Sequence, residues 1–184
     1  MPTPLVVGIG GTPRPGSSTD RALARVLASA ATHGLATSIF GGAALAELPL
    51  YRPDDSTRHP TAHALIEAVR TADAIVLATP GYHGGVSALV KNALDYLEDL
   101  RDDTRPYFDS RPVACLVTAA GPQALGSTLT ALRSITHALR GWPTPLGVTI
   151  NTTTPTAVQE AAGQLDALGE QVARMTTALR LELA

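Results

Sequence analysis

The alternation of strand-like and helix-like segments constrains this chain more than any other feature. Strand-like runs at 5–10, 35–40, 74–79, 112–119 and 146–151 are separated by helical periodicity at 19–33, 61–72, 86–100, 123–140 and 155–182. Runs such as Leu5-Val6-Val7-Gly8-Ile9 and Ala74-Ile75-Val76-Leu77-Ala78 have no polar alternate positions. A strand of that kind must be covered on both faces, which is the signature of a parallel sheet between helix layers. The helices supply one apolar stripe each: Leu23, Val26, Leu27 and Ala30 in the first, and Val86, Leu89, Val90, Ala93, Leu94 and Leu97 in the third. Repeated β-α units with right-handed crossovers build a doubly wound, three-layer α/β sandwich. Five strands fit the order 2-1-3-4-5, with a ligand crevice at the carboxyl ends of strands one and three. Residues 41–60, holding Pro49, Pro53 and Pro60, read as a long surface loop.

Composition narrows the class. A chain of 184 residues with 45% hydrophobic and 16% charged residues predicts one compact domain spanning 1–184. A net charge of -2 provides no basic footprint for nucleic acid. The single cysteine, Cys115, sits in an apolar run and reads as a buried, inert thiol. No apolar run reaches the ~20 residues of a membrane span, and the N-terminus runs straight into a strand with no charged leader. The expectation is a cytoplasmic protein with neither membrane nor nucleic-acid partner.

The loop after the first strand carries the first chemical signal: Gly11-Thr12-Pro13-Arg14-Pro15-Gly16-Ser17-Ser18-Thr19. Glycines and hydroxyls between a buried strand and a helix start form a cradle for an anion, because free N–H groups and the helix dipole point into the turn. Arg14 adds a charged fork suited to phosphate. Two nucleotide motifs fail here. A G-x-G-x-x-G reading through Gly8 and Gly10 meets Pro13 at its third glycine. A Walker A reading through Gly11 and Gly16 meets Ser17 where lysine belongs, and the only lysine is Lys91. What remains is a site for one terminal phosphate, or a plain Pro/Gly/Ser turn with a serine N-cap.

The third strand ends in Thr79-Pro80-Gly81-Tyr82-His83-Gly84-Gly85, which the strand order brings to the same crevice. Its glycines allow close backbone approach to a flat ligand, and Tyr82 offers an aromatic surface. Read blandly, it is a Pro-Gly turn with an exposed tyrosine and histidine. No carboxylate or cysteine is spaced to join His83 at a metal, so no metal site is expected.

Together these segments resemble the NAD(P)H-dependent FMN reductases of the flavodoxin-like superfamily. The first loop is similar to that family's G-S-x-R-x-x-S-x-N/T. The second, with Leu89-Val90-Lys91-Asn92-Ala93-Leu94-Asp95, is similar to T-P-E-Y-N-G-S…L-K-N-A-I-D, and Thr118-Ala119-Ala120-Gly121 matches a glycine-containing turn. The resemblance implies a flavodoxin-like fold, bound FMN, and NADPH or NADH as reductant. It implies that Thr12, Arg14, Ser17, Ser18 and Thr19 hold the phosphate and ribityl chain. Pro80, Gly81, Tyr82, His83 and Gly84 would line the isoalloxazine, and Thr118 and Gly121 would close its far edge. It implies a homodimer, or a dimer of dimers, with the 86–100 helix near the contact. Gly81 stands where the family has glutamate and His83 where it has asparagine, so acceptor choice beside the ring is expected to differ. Hydride transfer is the flavin's own chemistry, and no catalytic side chain is expected. The acceptor would be a small molecule: free flavin, quinone, azo compound or metal ion. A flavodoxin-type carrier, a flavin-free dehydrogenase and the reductase component of a monooxygenase are the alternatives.

Overall fold

The computed structural model describes residues 2–182. Five parallel strands lie in the order β2-β1-β3-β5-β6: β2 Ala36–Phe40, β1 Leu5–Gly10, β3 Ala74–Tyr82, β5 Pro112–Ala119 and β6 Trp142–Asn151. The order is the expected one once β4 is set aside. That strand, Gly85–Val86, only folds back antiparallel on Gly81 and Tyr82 to make a hairpin.

Period-two alternation divides the sheet's side chains between two cores. Val7, Ile9, Ile75, Leu77, Val113, Cys115 and Val117 face one core. It is covered by α3 (Pro60–Thr71), α4 (Ala88–Asp95) and α5 (Gln123–Ala138). Val6, Ala74, Val76, Ala78, Ala114, Leu116, Val148 and Ile150 face the other. It is covered by α1 (Ser18–Thr32), α6 (Ala157–Glu160) and α7 (Ala162–Glu182). The apolar stripes expected from sequence are the buried faces: Leu23, Val26, Leu27 and Ala30 on α1, and Val90, Ala93 and Leu94 on α4.

Several boundaries differ from the sequence expectation. The 86–100 helix is α4 followed by a 3₁₀ turn at Tyr96–Leu100, which keeps Tyr96, Leu97 and Leu100 buried as the chain turns away. The 41–60 loop holds a short helix, α2 (Gly42–Leu45), and is clamped to α4. Asn92 Nδ2 donates to Pro49 O at 2.8 Å and its Oδ1 accepts from Tyr51 N–H at 2.9 Å. Arg58 pairs with Asp99 at 2.7 Å and lies over the Tyr51 ring. The final helix is broken into α6 and α7. Trp142 opens β6 at 48% exposure.

The edge strand β6 is blunted. Pro143 and Pro145 remove two N–H donors, and Arg133 donates to the carbonyls of Thr144 and Pro145 at 2.8 and 3.0 Å. At the opposite end of the sheet from the two glycine-rich loops, Arg111 is fully buried. Its guanidinium donates to the carbonyls of Arg70, Ala72 and Tyr107, at 2.8, 2.8 and 2.5 Å. Burial and the neighbouring Arg105 push its pKa down to about 10.

Candidate functional site

Both glycine-rich loops lie at the carboxyl ends of adjacent strands, since β1 pairs with β3 from Val6↔Ala74 to Gly10↔Ala78. The chain between Gly10 and Ser18 leaves the sheet in a turn only glycine accepts easily. Gly10 has φ +154° and Gly11 φ +120°, and a Cβ on Gly10 would lie 1.9 Å from Ala78 O. Ser17 then caps α1: its Oγ accepts the N–H of Asp20 at 3.2 Å. The N–H groups of Ser18 and Thr19, in the first turn of α1, have no intrahelical acceptor and face the turn. Thr12 Oγ1 accepts the N–H of Arg14 at 3.3 Å, which folds the loop and leaves the Arg14 side chain exposed.

The second loop is a hairpin with its own fastening. Thr79 Oγ1 accepts the N–H of Ser87 at 3.0 Å, and Ser87 Oγ in turn accepts the N–H of Val90, capping α4. His83 sits at the tip with φ +52°, and Tyr82 is 58% exposed. A non-glycine residue in left-handed backbone costs about 1–2 kcal/mol, and such strain gathers at ligand sites. Beneath the hairpin, Gly81 leaves room for α5. A Cβ there would lie 2.9 Å from Thr128 Oγ1 and 3.4 Å from both Ala119 Cβ and Ala124 O. Thr128 is fully buried and its hydroxyl has no partner among the described residues.

The loops enclose a cavity of about 670 Å3, well inside the ~300–1,000 Å3 of small-molecule sites. Of the residues expected from sequence, Thr12, Arg14, Ser17, Ser18, Thr19, Pro80, Gly81, Tyr82, His83 and Thr118 line it. Thr19 and Thr118, 99 positions apart, touch through their hydroxyls at 2.7 Å. Gly84 and Gly121 stand off the wall. Gly84, φ +79°, makes the hairpin turn. Gly121, φ +121°, gives its N–H to Asn151 Oδ1 at 3.0 Å. Pro13, Ala119, Ala120, Ala124 and Thr152 line the cavity without having been expected. Thr152 was reachable by topology, because it follows the carboxyl end of β6; the alanines carry no chemical signal. Among the described residues no carboxylate lines the cavity, and Arg14 is its one permanent charge. Cys115 is buried in the sheet core, where burial pushes its thiol pKa up, against any role as a nucleophile.

Residues 4–155 match the sequence pattern of the NADPH-dependent FMN reductases. The chain belongs to that family. It is therefore an oxidoreductase of the class that couples NADPH to FMN. Over 137 residues it is 35% identical to an FMN-dependent NADPH-azoreductase of Staphylococcus aureus, covering 70% of this chain and 68% of that protein. Over 99 residues it is 37% identical to an NADPH azoreductase of a Bacillus species, covering 53% of this chain and 51% of that protein. The match thus spans about half the length of the Bacillus enzyme. Among solved structures, an oxidoreductase from Corynebacterium diphtheriae superposes with a TM-score of 0.74 at 21% identity, over 96% of this chain and 98% of that one. An NADH:FMN oxidoreductase in its apo form gives 0.73 at 20% identity, over 96% and 90%. These two likenesses fix the flavodoxin-like fold.

The residues present fit the family's cofactor. A monophosphate suits a turn with free helix N–H groups and an arginine but no lysine. A flat ring suits the uncharged part of the wall formed by Pro80, Gly81, Tyr82 and the small side chains of Ala119, Ala120 and Ala124.

Proposed function

We propose that this chain is an NADPH-dependent FMN oxidoreductase that passes reducing equivalents to a small, flat acceptor, an azo compound or a quinone being the class that fits best. One observation carries the reading: a phosphate cradle and a neutral, open-mouthed wall share a single cavity. When bound, FMN would supply the redox chemistry that links NADPH to the second substrate. The protein's part is to bind, stack and exclude water.

In this reading Ser18 and Thr19 N–H and the Arg14 guanidinium hold the phosphate, while Thr12 and Ser17 shape the turn. Pro80, Gly81, Tyr82 and His83 lie along the ring, Thr118 closes its far side, and Gly84 and Gly121 fix the two turns. The exposed Tyr82 and His83 at the mouth meet the nicotinamide and then the acceptor. Azoreductase activity is that of the relatives in Staphylococcus aureus and Bacillus; the cavity supports it here by offering an aromatic edge and, among the described residues, no carboxylate to repel a sulfonated or carboxylated ring. The chain acts as one FMN-binding domain in the cytoplasm and pairs with a second copy beside α4. Among the described residues no helix is long and apolar enough to cross a membrane.

Anaerobic titration of the FMN-loaded protein with NADPH tests the reading. The expected result is loss of the oxidised-flavin absorbance at one equivalent and its return when an azo dye or quinone is added. Flavin that stays oxidised under excess NADPH would refute it. Light scattering at micromolar concentration tests the pairing; a monomer there refutes it.

A further inference from the structure

We propose that Asp20 sets how tightly the cradle grips phosphate, by holding the Ser17 hydroxyl away from it. The proposal rests on the flavin reading above. Ser17 forms part of the cavity wall, yet every donor it owns is engaged elsewhere. Its N–H goes to Arg14 O at 3.2 Å, and its hydroxyl donates to Asp20 Oδ2. Its Oγ also accepts the Asp20 N–H at 3.2 Å. The serine that looks like a phosphate ligand in sequence is therefore bonded backwards, into the helix.

The carboxylate is held on its other oxygen as well. Asp20 Oδ1 accepts the N–H of Gly42 at 3.1 Å, tying the loop to the start of α2. It also fills the space under Gly11, where a Cβ would lie 2.1 Å from Oδ1. As the third residue of α1, Asp20 brings a full negative charge to the helix end whose partial positive charge attracts anions. A phosphate dianion thus meets a turn already partly neutralised and short of one hydroxyl donor. The consequence is a cradle that holds FMN loosely enough to exchange, rather than one that retains it as a permanent group.

Asp20→Asn isolates the effect. The amide oxygen still accepts from Gly42 N–H, and the amide nitrogen now donates to Ser17 Oγ, which has two acceptor lone pairs. That reverses the bond and frees the Ser17 proton for the phosphate. Fluorescence titration of the full chain with FMN and, separately, riboflavin reads the outcome. We expect FMN to bind about tenfold tighter, the size of one charge-assisted hydrogen bond gained, with riboflavin within about twofold of the native value. In the native background Ser17→Ala should shift both flavins by the same factor; combined with Asp20→Asn it should remove the hydroxyl's share of the FMN gain and leave only the smaller part due to the lost charge. If Asp20→Asn does not fold, Ser17→Ala alone decides: an unchanged FMN-to-riboflavin ratio supports the proposal, and an FMN-selective loss overturns it. FMN binding that is unchanged or weaker in Asp20→Asn, or both flavins moving together, also overturns it while leaving the flavin reading intact. A native chain that binds neither flavin overturns both.

Discussion

The contact between Gly81 and Thr128 makes a demanding prediction, because two opposite effects meet there. Gly81 has no positive φ, so alanine fits its backbone, and Gly→Ala at such a position ordinarily stabilises by about 0.4–1 kcal/mol through the unfolded chain. Here the added methyl would lie 2.9 Å from Thr128 Oγ1, with Ala119 Cβ and Ala124 O at 3.4 Å leaving no side on which to escape. Overpacking of this kind costs about 1–3 kcal/mol, so the net change for Gly81→Ala is a loss of up to about 2.5 kcal/mol. The partner change has the opposite sign. The Thr128 hydroxyl is buried and unpaired among the described residues, and such a group carries a desolvation penalty of about 1–3 kcal/mol. Thr128→Val removes it at nearly constant volume and should raise the melting temperature by about 2–4 °C for each kcal/mol recovered. Thr128→Ala should rescue Gly81→Ala, giving a non-additive double-mutant cycle. Thermal unfolding of the apo protein by circular dichroism measures all four species. A Gly81→Ala protein as stable as native, or strict additivity with Thr128→Ala, would show that the overlap is not the controlling term. The same contact leaves no room at position 81 for a longer side chain, because α5 occupies that space.

Three further outcomes are expected. Arg14→Ala should weaken FMN binding by about 1–3 kcal/mol and leave riboflavin unchanged, measured by the same fluorescence titration; equal loss for both flavins would remove Arg14 from the phosphate. His83→Gly should stabilise the apo protein by about 1 kcal/mol, because glycine accepts φ +52° without cost, and should alter the acceptor KM more than FMN affinity. The Arg58 guanidinium beside Asp99 holds that carboxyl below its ordinary value of 3.8, so the pair stabilises the fold above about pH 4 and its contribution fades as pH falls further. Asp99→Asn should flatten the acid limb of a stability-versus-pH curve; an unchanged limb would assign acid unfolding to other groups.

The sheet order and the helix faces were readable from residues such as Val6 through Ile9, because a strand buried on both sides has few alternatives. Both loops were readable too, since glycine and proline mark turns by their backbone limits. What stayed hidden is three-dimensional accounting. Nothing in the sequence says that Arg111 is buried among carbonyls, because arginine is normally a surface residue. The break between α4 and its 3₁₀ turn leaves the apolar spacing intact, so periodicity runs straight through it. Thr128 sits inside a stripe of leucines and reads as a polar interruption until α5 is seen against Gly81. Ser17 matched a pattern by type, but a pattern records a hydroxyl and not the direction in which it donates.

The blunted start of β6 leaves β2 as the less guarded side of the sheet for growth. Two prolines and the Arg133 guanidinium deny an incoming strand a ladder along the first part of β6, whereas β2 ends the sheet with Ile39 48% exposed and neither proline nor charge within Ala36–Phe40. Lateral association, whether a crowded expression host or a heated sample drives it, should start at β2. A charged residue in place of Ile39 is the simplest way to keep the protein in solution.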